Sequence, residues 1–356
     1  MELRVPFPAT AVALLVALIS LACQQSGIGL QPTRRATAAD PPATALSPSV
    51  ASPQPAVSTG QSQLAPSPRP PAIAATPHPD GLIAFTRTGG PSDDIYLVNA
   101  DGSDLGAFAT DGSFNHWPSW SPDASKLAYA SDQAGDRGMF DLYTLEMRTG
   151  DLRRLTSDPA TWEIQPSWSP DGHHIAFTVV YFDGSANSDI LLIDSGGGNI
   201  TSLTSSEIPE ESPEWSPTGD RIAFLSQSDS TQDEYDLSVM LADGSDKVLI
   251  AQKVGDTGLA WSPDGRWIAF ASESASVPTI ELVSPDGLET RSIQVPLVQS
   301  VSSPEWSPSG DWIAFAGAES GHSRIFIVAL DGSAILRVTS NPLPGWDGSP
   351  TWGLQP

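Results

Sequence analysis

A tryptophan recurs at positions 120, 168, 215, 261, 306 and 352, at intervals of 45 to 48 residues. The first five open a Trp-Ser-Pro motif and a turn: "WSPDA" (120–124), "WSPDG" (168–172), "WSPTG" (215–219), "WSPDG" (261–265) and "WSPSG" (306–310). The sixth stops at "PTWG" (350–353). A period of this length marks supersecondary units that cannot bury an apolar face alone, so the chain must stack them against one another.

Each complete motif leads into a short apolar run: "KLAYAS" (126–131), "HIAFT" (174–178), "RIAFLS" (221–226), "WIAFAS" (267–272) and "WIAFAG" (312–317), with an isolated "LIAFT" at 82–86. A third run follows in every unit, as in "DIYLVN" (94–99), "DLYTLE" (141–146) and "DILLID" (189–194), and most then turn at Asp-Gly or Gly-rich dipeptides, a strong hairpin signal. A shorter fourth element ends near Leu155-Thr156, Leu203-Thr204 and Val338-Thr339. Four short strands per repeat, six times over, predict an all-β, six-bladed β-propeller of four-stranded antiparallel blades. The leftover ends fit this count. Strands two to four of a blade lie at 82–110 and strand one at 349–352, so the C-terminal strand closes the ring by joining the N-terminal blade, which removes an open sheet edge. Pro118, Pro166, Pro213, Pro304 and Pro350 each stand two residues before the repeat tryptophan. Proline cannot donate to a ladder and is confined to edges, so that strand is expected to line the central channel.

The Pro-x-Trp-Ser-Pro-Asp-Gly, Ile-Ala-Phe and Asp-Ile-Tyr elements of residues 81–356 resemble the TolB-type propeller family. The resemblance implies an extracytoplasmic protein that binds a partner at its channel mouth, as TolB binds a peptidoglycan-associated lipoprotein. The α/β domain that precedes the propeller in TolB has no counterpart in this sequence.

Ahead of the propeller, residues 1–22 read as a signal peptide. The apolar run "AVALLVALISLA" (11–22) is too short for a membrane span and suits a signal-peptide core. It ends at Cys23, the chain's one cysteine, and "SLAC" resembles a lipobox in which that cysteine is lipidated after cleavage. The expected location is therefore extracytoplasmic, lipid-anchored to the cell membrane or periplasmic. Residues 23–80 are Pro/Ala/Ser-rich, cannot bury enough apolar area to offset their ordering entropy, and read as a disordered linker that tethers the propeller.

The chain carries a net charge of −25, and from residue 81 onward 39 acidic side chains face 13 basic ones. A nucleic-acid partner, which needs a basic footprint, is not expected. Cationic ligands, basic protein patches and calcium remain compatible with the charge, as does plain solubility. The pairs Asp101/Asp104 and Asp243/Asp246 fall at hairpin turns, where Asp and Gly are needed for backbone reasons, so no metal site is assigned to them.

No nucleophile elbow, metal-protease helix, Cys/His cluster or phosphate loop is found. Oligogalacturonate lyases have similar propellers, but use a cluster of channel histidines on a metal. Of the five histidines here, at 78, 116, 173, 174 and 322, only His116 falls near the expected channel mouth. Prolyl oligopeptidases also carry a similar propeller, with the hydrolase in a separate domain for which this chain has no room.

Three tryptophans stand outside the repeat positions, in what read as long loops entering the innermost strands: Trp117, Trp162 and Trp346. They belong to blades one, two and six, which are consecutive, and are expected to form an aromatic shelf at the mouth. Asn115, His116, Glu163, Gln165 and Asp347 stand in the same loops, with Glu210, Glu211 and Asp256 across the opening. Aromatic faces beside carboxylates suit a sugar ring or a Lys or Arg side chain. The expectation is a monomeric, non-enzymatic propeller binding a protein, peptide or glycan of the cell envelope, with no cofactor. The rival is a polysaccharide lyase or hydrolase in the funnel, which would require Glu163 or Glu210 close to a second carboxylate with a shifted pKa.

Overall fold

The computed structural model describes residues 80–355, apart from 136–137, 184–186, 229–233, 256–257, 273–275 and 341–344. The leader, Cys23, His78 with the rest of the linker before residue 80, and Asp256 lie outside the described residues.

Strands β1 (Leu82–Thr88), β2 (Asp94–Asn99) and β3 (Gly106–Ala109) come first. Blade one is β4 (Asn115–Trp120), β5 (Lys126–Ser131), β6 (Asp141–Glu146) and β7 (Leu152–Arg154). Blade two is β8 (Thr161–Trp168), β9 (His174–Tyr181), β10 (Ser188–Asp194) and β11 (Thr201–Ser202). Blade three is β12 (Glu210–Trp215), β13 (Arg221–Gln227), β14 (Tyr235–Leu241) and β15 (Val248–Val254). Blade four is β16 (Leu259–Trp261), β17 (Ile268–Ser272), β18 (Thr279–Val283) and β19 (Thr290–Gln294). Blade five is β20 (Val301–Trp306), β21 (Trp312–Glu319), β22 (His322–Ala329) and β23 (Ile335–Arg337). The last strand, β24 (Trp346–Gly353), pairs antiparallel with β1, setting Trp352 opposite Ile83 and Asp347 opposite Arg87. Blade six is thus β24-β1-β2-β3, and the ring closes as the repeat count predicts.

The Ile-Ala-Phe run has a packing reason. Successive strand residues face opposite sides of a sheet, and in every blade the large residues face the preceding blade while alanine faces the following one. Ile175 and Phe177 of blade two pack with Ala128 and Ala130 of blade one, whereas Ala176 meets Ile222 and Phe224 of blade three. The same alternation places Ile268 and Phe270 against Ala223 and Leu225, and Ile313 and Phe315 against Ala269 and Ala271. Six apolar clusters occupy the six blade junctions, so the core is a ring of wedges. The repeat tryptophans lie in these clusters, each facing the preceding blade. A large residue at one of the alanines would overpack a junction, at a cost of about 1–3 kcal/mol.

The Ser-Pro-Asp-Gly turn is a hydrogen-bonded device. In blade two the Ser169 hydroxyl donates to Asp171 at 2.6 Å and accepts the amide of His174 at 2.9 Å, and Ser262 does the same with Asp264 and Trp267 in blade four. Asp171 and Asp264 are held below the usual carboxylate range, first by the serine hydroxyl. At the outer edge of blades one, two and five a threonine acts as a peg. The hydroxyls of Thr156, Thr204 and Thr339 accept the amides of Leu142, Ile190 and Ile325, which explains the recurrent Leu-Thr after the outermost strand.

Candidate functional site

The innermost strands are β4, β8, β12, β16, β20 and β24, as proline placement predicts, and together they wall the central channel. Three residues before each repeat tryptophan the backbone turns left-handed: Trp117, Gln165, Ser212, Ser303 and Ser349 have φ of 51°, 52°, 54°, 48° and 46°, and Gly258 has 93°. A left-handed residue directly ahead of proline is disfavoured on two counts. Its recurrence at one repeat position shows that the ring geometry imposes it. The register skips here, between His116 and Ser119, Ile164 and Ser167, Glu211 and Glu214, and Ser302 and Glu305, and β24 is irregular against Ala84 to Thr86, so every inner strand except the short β16 carries a bulge.

The bulge sets two rings of side chains toward a cavity of about 450 Å³. One ring comprises the left-handed residues themselves. The other holds the residue just before each tryptophan: Ser119, Ser167, Glu214, Ala260, Glu305 and Thr351. Glu214 and Glu305 are the sole ionisable side chains among the described residues that line the cavity. They come from blades three and five, and the blade between them contributes only Gly258, Leu259, Ala260 and aromatic and proline surface. Ser167 donates to Glu214 Oε2 at 2.9 Å, and the Trp352 amide donates to the Glu305 carboxyl. Burial raises both carboxyls, Glu305 further through the charge of Glu214, against the opposing pull of those hydrogen bonds. Sequence reasoning passed over both. Their signal was the variable residue of Pro-x-Trp, which reads Ser, Ser, Glu, Ala, Glu, Thr around the ring once that strand is taken as innermost.

The residues expected at the mouth are placed differently. They lie in the first part of the inner strands and not in long loops, because the bulge lets each strand continue past its proline. Asn115, His116, Glu163, Glu210, Glu211 and Asp347 are buried and do not line the cavity. Trp117 and Gln165 do line it. Gln165 Oε1 accepts the Thr178 hydroxyl at 2.8 Å and the Ser212 amide at 3.1 Å, fastening blade two to blade three. His116 Nε2 lies 3.1 Å from Asp93 Oδ2, tying blade one to the β1–β2 loop of blade six.

In place of an aromatic shelf there is a row of edge-to-face rings, buried at its centre and open at its Phe182 end. Phe140 bridges Trp117, at 6.0 Å, and Trp162, at 5.9 Å, and Phe182 continues it at 4.8 Å from Trp162. Trp162 is only 9 % exposed, whereas Trp346 is 53 % exposed and shares no ring contact with either among the described residues. Among the loop-side residues, Trp346 and the half-exposed Phe182 are the aromatic surfaces open to a partner.

Asn115, Glu163, Glu210 and Asp347 occupy one repeat position, five before the tryptophan, and most are acids turned into blade junctions. Asp347 is fully buried, with a bidentate Arg87 at 2.6 and 2.9 Å and the Thr339 hydroxyl at 2.7 Å. Lys247 reaches Glu210 at 2.7 Å. Glu163 accepts hydrogen bonds from Thr161 and Thr156 but no cation, since Arg154 pairs with Asp141 at 2.8 Å. Burial pushes the Glu163 carboxyl up to about 7. Elsewhere, Asp101 and Asp243 accept turn hydrogen bonds from Ser103 and Ser245, consistent with a backbone role. Among the described residues no three His, Cys, Asp or Glu side chains group to hold a metal ion.

Six four-stranded blades with an inner strand of this kind define a six-bladed β-propeller with a walled channel. Residues 136–301 match the family described as PD40, the TolB beta propeller domain. The crystal structure of TolB from Acinetobacter baumannii is similar over 77 % of this chain and 67 % of that one, at 22 % identity and a TM-score of 0.66. A TolB candidate from Agrobacterium tumefaciens is similar over 75 % of this chain and 91 % of its own, at 23 % identity and a TM-score of 0.60. An oligogalacturonate lyase in complex with manganese shares 14 % identity over 70 % of this chain and 72 % of its own, with a TM-score of 0.52. No curated protein sequence matches the chain. At such identities the likeness to solved structures is one of fold, and the family match over residues 136–301 falls within the propeller.

Proposed function

We propose that this chain is a lipid-anchored extracytoplasmic binding protein whose propeller takes a protein segment, peptide or glycan of the cell envelope at its channel. In this reading the chain is not an enzyme, needs no cofactor, works as a monomer and is held to the membrane through Cys23. The observation that carries it is the channel itself. Its wall combines tryptophan and proline faces with serine hydroxyls and two carboxyls, surfaces that suit a chain bearing apolar and polar or cationic groups. Exposed Trp346 and Phe182 offer first contacts on the loop side. The TolB-type fold supports an extracytoplasmic location.

A second reading, a polysaccharide lyase or hydrolase, is favoured by one observation: Glu214 and Glu305 share a cavity, and the charge of Glu214 raises Glu305 beyond what burial does, which lets one carboxyl keep a proton as an acid while the other serves as a base. The lyase neighbour carries manganese, and no comparable ligand group exists among the described residues.

The test uses the full chain in detergent. Tryptophan fluorescence is followed on titration with peptidoglycan fragments, basic peptides and oligogalacturonate, and the mixtures are analysed for cleaved sugars. A saturable change without cleavage, weakened in Trp117→Ala, supports binding. Cleavage lost in Glu214→Gln and Glu305→Gln moves the chain to the enzyme class. Cys23→Ser is expected to release the protein from membranes; continued membrane association would remove the anchor.

A further inference from the structure

We propose that the channel carries a proton-operated charge switch, in which Glu214 and Glu305 hold one proton between them and its release makes the channel wall doubly negative.

The geometry is unusual for a surface as acidic as this one. Many carboxylates of the propeller are exposed or sit in turns, where backbone amides reach them, as at Asp171, Asp264, Asp286 and Asp331. Glu214 and Glu305 instead enter one cavity, from strands β12 and β20, with the short β16 between them. At their repeat position β16 presents Ala260, a small side chain with no polar group to place beside either carboxyl. The other strands around the channel, β4, β8 and β24, contribute Ser119, Ser167 and Thr351 at that level and no titratable or charged group. Glu163 of β8, Glu210 and Glu211 of β12 and Asp347 of β24 lie on the same strands but are buried outside the channel wall. No lysine, arginine or histidine among the described residues lines the cavity.

Two like charges in a confined space without a cation favour retention of a proton by one of them. The hydrogen bonds present fit a shared proton. Ser167 steadies Glu214 from blade two and the Trp352 amide steadies Glu305 from blade six, so both carboxyls are held in place at the cavity wall by neighbouring blades. Burial raises both groups, and the charge of Glu214 raises Glu305 further. The sign follows. The pair is singly charged or neutral at low pH and gains its second negative charge as pH rises past the range of ordinary glutamates. Cationic occupants are then favoured and anionic ones repelled.

The switch belongs to the empty channel and does not depend on which envelope ligand the protein takes, so its failure and that of the binding reading are separable. The experiment is a pH titration of the full chain labelled with carbon-13 at the glutamate carboxyls, followed by NMR. Resonances are assigned by their loss in Glu214→Gln and Glu305→Gln. The expected result is that both titrate above the remaining exposed glutamates, and that removing either lowers the midpoint of the other. Glu305→Ala, which copies the alanine of blade four, serves where the glutamine variant does not fold. A lysine-containing dipeptide, monitored by tryptophan fluorescence, is expected to bind about tenfold more tightly above the midpoint than below it, with no pH dependence in the doubly substituted protein. The proposal is overturned if both carboxyls titrate with the exposed glutamates, if each midpoint is unmoved by loss of the other, or if dipeptide affinity is flat with pH.

Discussion

Two blade junctions place an acid at the same repeat position and treat it in opposite ways. Between blades five and six, Asp347 is enclosed completely but receives Arg87 in bidentate fashion and the Thr339 hydroxyl. Between blades one and two, Glu163 is 3 % exposed, receives the hydroxyls of Thr161 and Thr156, and leaves Oε2 without a partner. The nearby Arg154 is engaged with Asp141. One junction contains a compensated charge and the other an uncompensated acid, on the same fold and at the same strand level. The difference is instructive because the Arg87–Asp347 pair also joins β1 to β24, where the two ends of the propeller meet within blade six. A buried ion pair is weak evidence for net stability, and here its two residues face each other across β1 and β24.

The largest test breaks the compensated junction. Arg87→Ala leaves Asp347 buried without its cation, and Asp347→Ala leaves the guanidinium beside the rings of Phe85 and Tyr96. Each is expected to lower unfolding free energy by about 3–5 kcal/mol, read by chemical denaturation, since removing one partner of a buried pair strands the other. The doubly substituted Arg87→Met/Asp347→Leu protein is expected to recover much of that loss. A cost near zero for Arg87→Ala would mean that the pair does not hold the ring shut.

Glu163→Gln tests the other junction and acts in the opposite sense. Its carboxyl sits at about 7 when folded, above its ordinary value of 4.5. Such a raised acid binds a proton more tightly in the folded state, so stability from this group is greatest at low pH, falls as pH climbs from about 4.5 to about 7, and stays low above. The full difference is about 3 kcal/mol. Glutamine cannot ionise, so Glu163→Gln is expected to gain up to about that much relative to the parent at alkaline pH and little at pH near 4. Equal effects at both pH values would show that the carboxyl does not titrate through this range.

Much of this contrast lay beyond a reading of the sequence, for a definite reason. The strands, their order from the channel outward and the closure of the ring follow from the tryptophan period, the placement of Pro118 and its equivalents, and the Ile-Ala-Phe alternation, each of which acts locally. Burial of Asn115, His116, Glu163 and Asp347 depends on what the neighbouring blade supplies. A proline two residues before the tryptophan looks like a strand start, so the acids ahead of it read as loop residues. The left-handed residue at Trp117, Gln165 and Ser349 lets the strand extend beyond that proline, and carries the acids into the junctions. Glu214 and Glu305 were legible as letters. Their pairing needed the ring to bring blades three and five to one cavity.

The smallest test asks whether the two junctions differ in their pegs as they differ in their charges. Thr339 and Thr156 are equivalent, each accepting a backbone amide from its own blade, Ile325 at 3.0 Å and Leu142 at 2.9 Å. Each also donates to the junction acid, Thr339 to a carboxylate paired with arginine and Thr156 to a carboxyl that burial raises. Hydrogen bonds to a charged group contribute about 1.5–3 kcal/mol and those to a neutral one about 0.5–1.5 kcal/mol. Thr339→Val is therefore expected to cost more than Thr156→Val at pH near 5, where Glu163 keeps its proton. The gap is expected to narrow at alkaline pH, where Glu163 ionises and depends on its hydroxyl donors. Denaturation of both variants at the two pH values decides it. A constant gap would show that the pegs act through the backbone amides alone and are indifferent to the acids beside them.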